Sequence, residues 1–260
     1  MFDLLPPLYR LYERRLVREV LRGPMPRHIG LILDGNRRYA RELGFQDPLA
    51  GHRVGADKLE EVLDWLDELK IRFITLFALS TENLARSPAE LNGLLALIEA
   101  KMRSVAVSAK IHQKRVRIRA VGRTELLPSS LQEAIALAEE ATREHDSFCL
   151  NLAVGYGGRQ EITDAVSSLL RERAWRGESL ARAAEEITPE EIGKYLYTYD
   201  LPDPDLIIRT SGEFRLSGFL LWQSAYSEFY FCDPYWPAFR KIDLLRAIRS
   251  YQQRKRRFGT

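Results

Sequence analysis

A chain of 260 residues, 45% hydrophobic and 29% charged, has the composition of a folded domain and excludes wholesale disorder. Its longest apolar runs, such as residues 219–222, fall far short of the ~20 residues that a membrane-spanning helix needs, and Asp3, Arg10 and Glu13 interrupt any signal-peptide core. The net charge is only +3, yet eight Lys or Arg against Asp243 alone give residues 240–260 a local +7; with few aromatics interleaved, this reads as a solvated or phosphate-facing tail and not as a nucleic-acid surface.

In chain order, residues 8–21 come first, with Leu8, Tyr12, Leu16 and Val20 at four-residue spacing. This predicts an amphipathic helix that packs on the domain's own core, so residues 1–25 read as an N-terminal helical segment and 26–260 as one main domain. Short continuous apolar runs follow at 29–33, 73–79, 148–154 and 206–208, suited to strands buried on both faces. Val116, Ile118 and Ala120 alternate instead with Arg115, Arg117 and Arg119, which predicts a strand with one wetter face. Between the strands lie helical patterns: Leu59, Val62, Leu63, Leu66 and Leu69, then Ser87-Pro88-Ala89-Glu90 opening a long apolar helix. Ser129 with Gln132, and Thr188-Pro189 with Glu191, read as two further capping boxes. Alternation of this kind predicts an α/β fold, a single domain with a mainly parallel central sheet flanked by helices. Cys149 and Cys232 are too far apart for a metal knuckle and too few for a disulfide framework, which suits a reducing, cytoplasmic setting.

Ligands of open α/β sheets bind outside the carboxyl ends of the strands. Four strand ends here carry Asp34-Gly35-Asn36-Arg37-Arg38, then Ser80-Thr81-Glu82-Asn83 with Arg86, then residues 155–159, then residues 209–217. Glycine amides, hydroxyls and arginine forks suit phosphate, and two arginine-bearing groups suggest two phosphate sites. Asp34 among anion-binding groups calls for a cation between, and magnesium fits a single carboxylate plus substrate phosphates. There is no GxxxxGK[ST], no HExxH and no GxSxG, and the glycine fingerprint at 155–158 lacks its third member.

The segment from His28 to Ala40, HIGLILDGNRRYA, resembles the cis-prenyltransferases, the family of undecaprenyl diphosphate synthase. The resemblance extends from about residue 26 to the end. It runs through Gly51-His52-Arg53, Ser80-Thr81-Glu82-Asn83 with Arg86, residues 151–159, residues 205–217, residues 219–228 and Arg256-Arg257-Phe258-Gly259. It implies consecutive cis-condensations of isopentenyl diphosphate onto an allylic prenyl diphosphate, with release of pyrophosphate. By carry-over, Asp34 is the catalytic, Mg2+-linked aspartate and Glu228 a second magnesium position. Asn83 matches the residue that helps remove the proton. Gly35, Asn36, Arg37, Arg38 and Arg86 would cradle the allylic diphosphate, with Tyr39, His52, Ser80, Thr81 and Glu82 at substrate-contacting positions. Arg209, Arg215, Leu216 and Ser217 match the isopentenyl diphosphate site. Arg257 and Gly259 resemble a terminal motif that reaches a partner's active site, since family members are dimers.

Arg37 gives the DGNRR variant of the motif, Leu84 stands where many members have tryptophan, and residues 45–50 lack an arginine often found there. Ala78 falls where members making the shortest products carry a bulkier residue, so the expected product is a medium- to long-chain (Z)-polyprenyl diphosphate, a glycosyl carrier lipid precursor delivered to the membrane. The enzyme would then be cytoplasmic and peripheral at the inner membrane surface. Two alternatives stand beside this: a (Z,E)-farnesyl diphosphate synthase, suggested by the N-terminal residues 7–13 and by Arg37, and a non-catalytic prenyl-diphosphate-binding subunit, which the presence of Asp34 and Arg209 disfavours.

Overall fold

The computed structural model describes residues 5–254, with side chains from residue 9 onward, so Arg257 and Gly259 lie outside the described residues. Six strands form one sheet: β1 (His28–Ile32), β2 (Phe73–Ser80), β3 (Val116–Val121), β4 (Phe148–Tyr156), β5 (Leu206–Arg209) and β6 (Glu228–Phe231). Their order is β3-β4-β2-β1-β5-β6 and every pairing is parallel. Helices α1 (Leu5–Val20), α2 (Asn36–Glu42), α3 (Leu49–Glu68), α4 (Pro88–Val107) and α5 (Ala109–Gln113) alternate with the first strands. They are followed by α6 (Ser129–Ala141), α7 (Gly158–Trp175), α8 (Leu180–Glu186), α9 (Pro189–Gly193) and α10 (Lys241–Gln253).

The central strands are apolar because both faces are covered. All of β1 and β4 is buried, while β3 at one edge exposes Arg117 and leaves Arg119 half-exposed, as its alternation implies. β6 escapes a reading of the sequence. Its Phe229, Tyr230 and Phe231 sit half-buried at the other edge and show neither alternation nor a fully apolar run. Residues 219–222, the longest apolar run, form no strand; Phe219 and Leu220 are buried in the turns that precede a short 3-10 helix at Gln223–Tyr226.

Two of the expected caps also differ. Ser87 makes no side-chain cap bond. At α6 the cap position is Pro128, and the Gln132 amide donates to Leu127 O instead (2.8 Å). Thr188 does accept the Glu191 N–H (3.3 Å), but the Glu191 carboxylate turns to Arg173 (2.6 Å). α1 lays Leu16 and Val20 into the main core and is tied to α10 by the Gln252 amide, which donates to Val20 O (2.8 Å). Its apolar stripe is therefore used internally.

Going from β1 the chain moves to one side of the sheet, and from β4 it returns to the other side at β5. This reversal at the carboxyl end of β1 marks the crevice where such sheets bind ligands. The crevice depends on α2 and α3 crossing closely, and Gly51 permits this: a Cβ there would lie 2.0 Å from Asn36 O. Because the obstacle is backbone, Gly51→Ala should destabilise by about 1–3 kcal/mol, the usual cost of overpacking. Thermal melting checks this, and an unchanged midpoint would contradict the close crossing.

Candidate active site

Asp34 stands just past the end of β1, with its backbone clamped from two sides. Thr210 Oγ donates to Asp34 O (2.7 Å), and the Trp236 N–H donates to the same carbonyl (2.9 Å). Its carboxylate receives Arg209 Nη2 at 2.7 Å, the Gly35 N–H at 2.6 Å and Arg38 Nη2 at 3.3 Å. Burial pushes the Asp34 carboxyl up, but the Arg209 fork, the Gly35 amide and the Ser211 hydroxyl outweigh it and hold the group below its ordinary value of 3.8. The carboxylate is thus ionised throughout the neutral range.

Two anion-attracting groups meet at this carboxylate. On one side Gly35, with φ +98°, turns the chain into α2 with its Cα packed on Tyr235. The first intrahelical bond is Tyr39 N–H to Gly35 O, so the amides of Asn36, Arg37 and Arg38 have no acceptor within the helix. Arg37 and Arg86 reach this side and share Glu90, at 3.5 and 2.9 Å. On the other side Arg209 is buried and donates to Arg215 O and to Ser217 Oγ (2.9 Å), which shapes the loop after β5. That loop holds Ser211, Gly212, Ser217, Gly218 and Leu220 at positive φ. Three of them are not glycine, and such strain gathers where the surrounding structure must impose a conformation. Glu213 bonds both Arg38 (2.9 Å) and Arg215, and so ties the two groups together.

Behind the carboxylate lies a cavity of about 350 Å³ between the sheet, α3 and α4. Asp34, Asn36, His52, Ser80, Asn83, Arg86, Arg209, Arg215 and Ser217 all line it, toward the mouth, while Leu59, Phe77, Leu94, Ile98 and Met102 make its wall apolar. Three buried polar atoms on residues that line it, Asn36 Oδ1, His52 Nε2 and Arg209 Nε, have no hydrogen-bond partner among the described residues. Burial, followed by the nearby Arg86 cation, pulls His52 down to about 4, so its ring is neutral. Ser80 and Asn83 cap each other: Asn83 N–H donates to Ser80 Oγ and Ser80 N–H to Asn83 Oδ1, both at 3.2 Å. Asn83 is thereby held on a 3-10 turn (Thr81–Ala85) beside the cavity.

Other expected site residues fall elsewhere. Arg37 and Arg38 sit at the rim. Tyr39, Thr81 and Glu82 do not line the cavity, and Leu216 packs against the small apolar cluster around Phe219. Glu228 begins β6, level with Leu206 at the amino end of β5, whereas Asp34 follows the carboxyl ends. At ~3.3 Å per residue the strand separates the two by at least about 10 Å, and Glu228 is ion-paired with Arg254 (2.6 Å). Within one chain Glu228 therefore does not join Asp34, and no group of three or more metal-ligating side chains exists among the described residues. Conversely, Glu90, Glu213, Thr210 and Trp236 shape the site without a sequence signal that announces them. In the sequence Glu90 reads as a helix-capping residue; in the structure it serves Arg37 and Arg86 instead.

A carboxylate between two arginine groups at the mouth of an apolar cavity, on an all-parallel sheet, suits a ligand with an anionic head and an apolar tail. The family model described as "Putative undecaprenyl diphosphate synthase" matches residues 32–259. The chain is 55% identical over 98% of its length to the tritrans,polycis-undecaprenyl-diphosphate synthase (geranylgeranyl-diphosphate specific) of Methanopyrus kandleri, covering 92% of that protein. It is 54% identical to the (2Z,6E)-farnesyl diphosphate synthase of Thermobifida fusca, covering 97% of each chain. Among solved structures, lavandulyl diphosphate synthase from Lavandula x intermedia, in complex with dimethylallyl diphosphate, superposes with a TM-score of 0.82 at 33% identity, over 93% of this chain and all of that one. The chain belongs to the undecaprenyl diphosphate synthase family and is a cis-prenyltransferase.

Proposed function

We propose that this enzyme adds isopentenyl diphosphate repeatedly to an allylic diphosphate and makes a medium- to long-chain (Z)-polyprenyl diphosphate. One observation carries the reading: two arginine-bearing groups meet across a single ionised carboxylate, at the mouth of a cavity whose far wall is apolar. The allylic diphosphate would lie on the free amides of α2 with Arg37, Arg38 and Arg86. Isopentenyl diphosphate would lie on Arg209, Arg215 and Ser217, and the allylic tail would run down the cavity. Glu90 and Glu213 already fix these guanidinium forks, so the anion meets preorganised donors.

In each cycle the allylic C–O bond breaks and pyrophosphate departs. The double bond of isopentenyl diphosphate supplies the pair that forms the new C–C bond, and a proton then passes to the departed pyrophosphate, which restores an alkene. Asn83, held by Ser80 and lining the cavity, is placed to assist that proton loss. Magnesium fits the donor set: the Asp34 carboxylate has lone pairs beyond those its present partners use, and the substrate phosphates would complete the shell. Asp34 would hold it, and the metal would neutralise charge on the departing diphosphate. A homodimer that shares residues 257–260 between sites, and delivery of product to the membrane surface, complete the proposal. No helix among the described residues is long and apolar enough to cross a membrane.

Product length is supported by the shape of the wall at Ala78. β2 is irregular there: Phe77 pairs with Ala153 but Leu79 with Val154. Such a bulge re-aims neighbouring side chains, and both Phe77 and Ala78 line the cavity. Ala78→Leu would add bulk to that wall and should shorten the product by at least one isoprenyl unit. An unchanged product distribution would remove Ala78 from the wall's function. A farnesyl-length product is the second reading, favoured by the Thermobifida fusca relative. Chromatography of labelled products from isopentenyl diphosphate with three allylic primers of different length distinguishes the two. Absence of primer-dependent pyrophosphate release would overturn both.

A further inference from the structure

The apolar cavity does not end at Met102. A second compartment of about 220 Å³ shares Ala56, Leu59, Lys101, Met102 and Leu152 with the first and continues under α3, α4 and α5. Its floor is the sheet, where Leu152, Leu150 and Phe148 follow one another along one face of β4 beside Ile118 and Val116. From the level of Phe77 and Ala153 to that of Val116 and Phe148 is five residues of strand, about 17 Å. At the far end Ile111 on α5 lines it together with a cluster of ion-paired side chains. Asp64 and Asp67 on α3 face Lys110 on α5 and Lys114 just after it. Lys110 donates to Asp64 (2.7 Å), and Lys114 donates to Asp64 (3.0 Å) and to Asp67 (2.7 Å).

We infer that this clasp of Asp64, Asp67, Lys110 and Lys114 is a gate that limits product length, because a growing chain that reaches it extends further only by parting the ion pairs. The inference rests on the proposed polyprenyl reaction. α5 is suited to be the moving part, because none of its five residues is buried and the extended Ser108 separates it from α4. Apart from the ion pairs, it is held by half-buried Ile111, by a bond between His112 Nε2 and Ala106 O (2.9 Å) and by the edge-on contact of the His112 and His145 rings (5.1 Å between centroids). Ion pairs at an exposed surface are weak and are screened by salt. A close-packed wall, by contrast, yields only with strain. Burial would raise the Asp64 carboxyl, but its bonds from Lys110 and Lys114 outweigh this and hold it low, so Asp64 stays ionised at neutral pH.

The test uses the full chain with isopentenyl diphosphate in excess over an allylic primer, and follows pyrophosphate release and labelled product length together. Lys110→Ala with Lys114→Ala should shift the dominant product longer by one or more isoprenyl units while release continues. Exchanging the charges, with Lys at 64 and 67 and Asp at 110 and 114 (D64K, D67K, K110D, K114D), should restore the wild-type length. Salt gives a second measurement on the unaltered protein. Raising it from 0.1 to 1 M, where the screening length falls from about 10 to 3 Å, should lengthen the wild-type product and leave that of the alanine variant unchanged. Unchanged length in the alanine variant with release intact overturns the gate alone. Loss of primer-dependent release in the wild type overturns the reaction, and the gate with it.

Discussion

Asp34→Asn should lower kcat at least about 100-fold, roughly 2.7 kcal/mol of barrier, and lower the thermal midpoint less than Asp34→Ala does. Asparagine keeps the volume and one acceptor oxygen for Arg209 Nη2, so what it removes is the negative charge between the two arginine groups. Alanine is the poorer test. It would leave the buried Arg209 guanidinium without its carboxylate, and stranding a buried charge is costly in itself. Melting and steady-state rates measured on the same preparation separate these effects. An asparagine variant that keeps more than about a tenth of wild-type activity, about 1.4 kcal/mol, would show that the charge of Asp34 is not needed for departure of the diphosphate.

Arg209→Ala should act on both substrates, whereas Arg215→Ala should act on isopentenyl diphosphate alone. From the sequence the two arginines look equivalent, both on the strand end assigned to isopentenyl diphosphate. They differ in that Arg209 is buried against Asp34, while the Arg215 side chain is 59% exposed and paired with Glu213. Without Arg209, the influence that does most to hold the Asp34 carboxyl down disappears and burial prevails, so its pKa rises. The sign follows: the stabilisation due to ionised Asp34 is present above its unfolded value and is lost as pH falls through the folded one. Raising the folded value therefore moves the acid limb of the pH–rate profile to higher pH. Arg215→Ala should leave that limb in place and raise KM for isopentenyl diphosphate by roughly tenfold or more, the value of one charge-assisted bond. Arg209→Ala should also destabilise by about 3 kcal/mol, the low end for a broken buried pair because Asp34 keeps some contact with water. Identical pH profiles for the two variants would mean that Arg209 does not govern Asp34.

The sequence by itself determined the parallel α/β architecture, because strands buried on both faces must be continuously apolar and the helices between them must repeat at 3.6 residues. It also placed Asp34, Asn83, Arg86, Arg209 and Arg215 together at the strand ends, since they are local features of loops whose position follows from the fold. The tertiary structure decided what depends on contacts between distant segments. That Glu213 joins Arg38 to Arg215, and Glu90 joins Arg37 to Arg86, requires side chains up to 175 residues apart to meet. β6 is visible only as a partner of β5, because an edge strand half-open to solvent has no pattern of its own. Glu228 matches a motif, yet register sets it at the amino end of the sheet, away from Asp34. The bulge that aims Phe77 and Ala78 at one cavity, and the ion pairs between α3 and the α5 region, likewise arise from how β2 meets β4 and how α5 meets α3. Local sequence specifies which groups are present and in which element; distances between elements are set by packing.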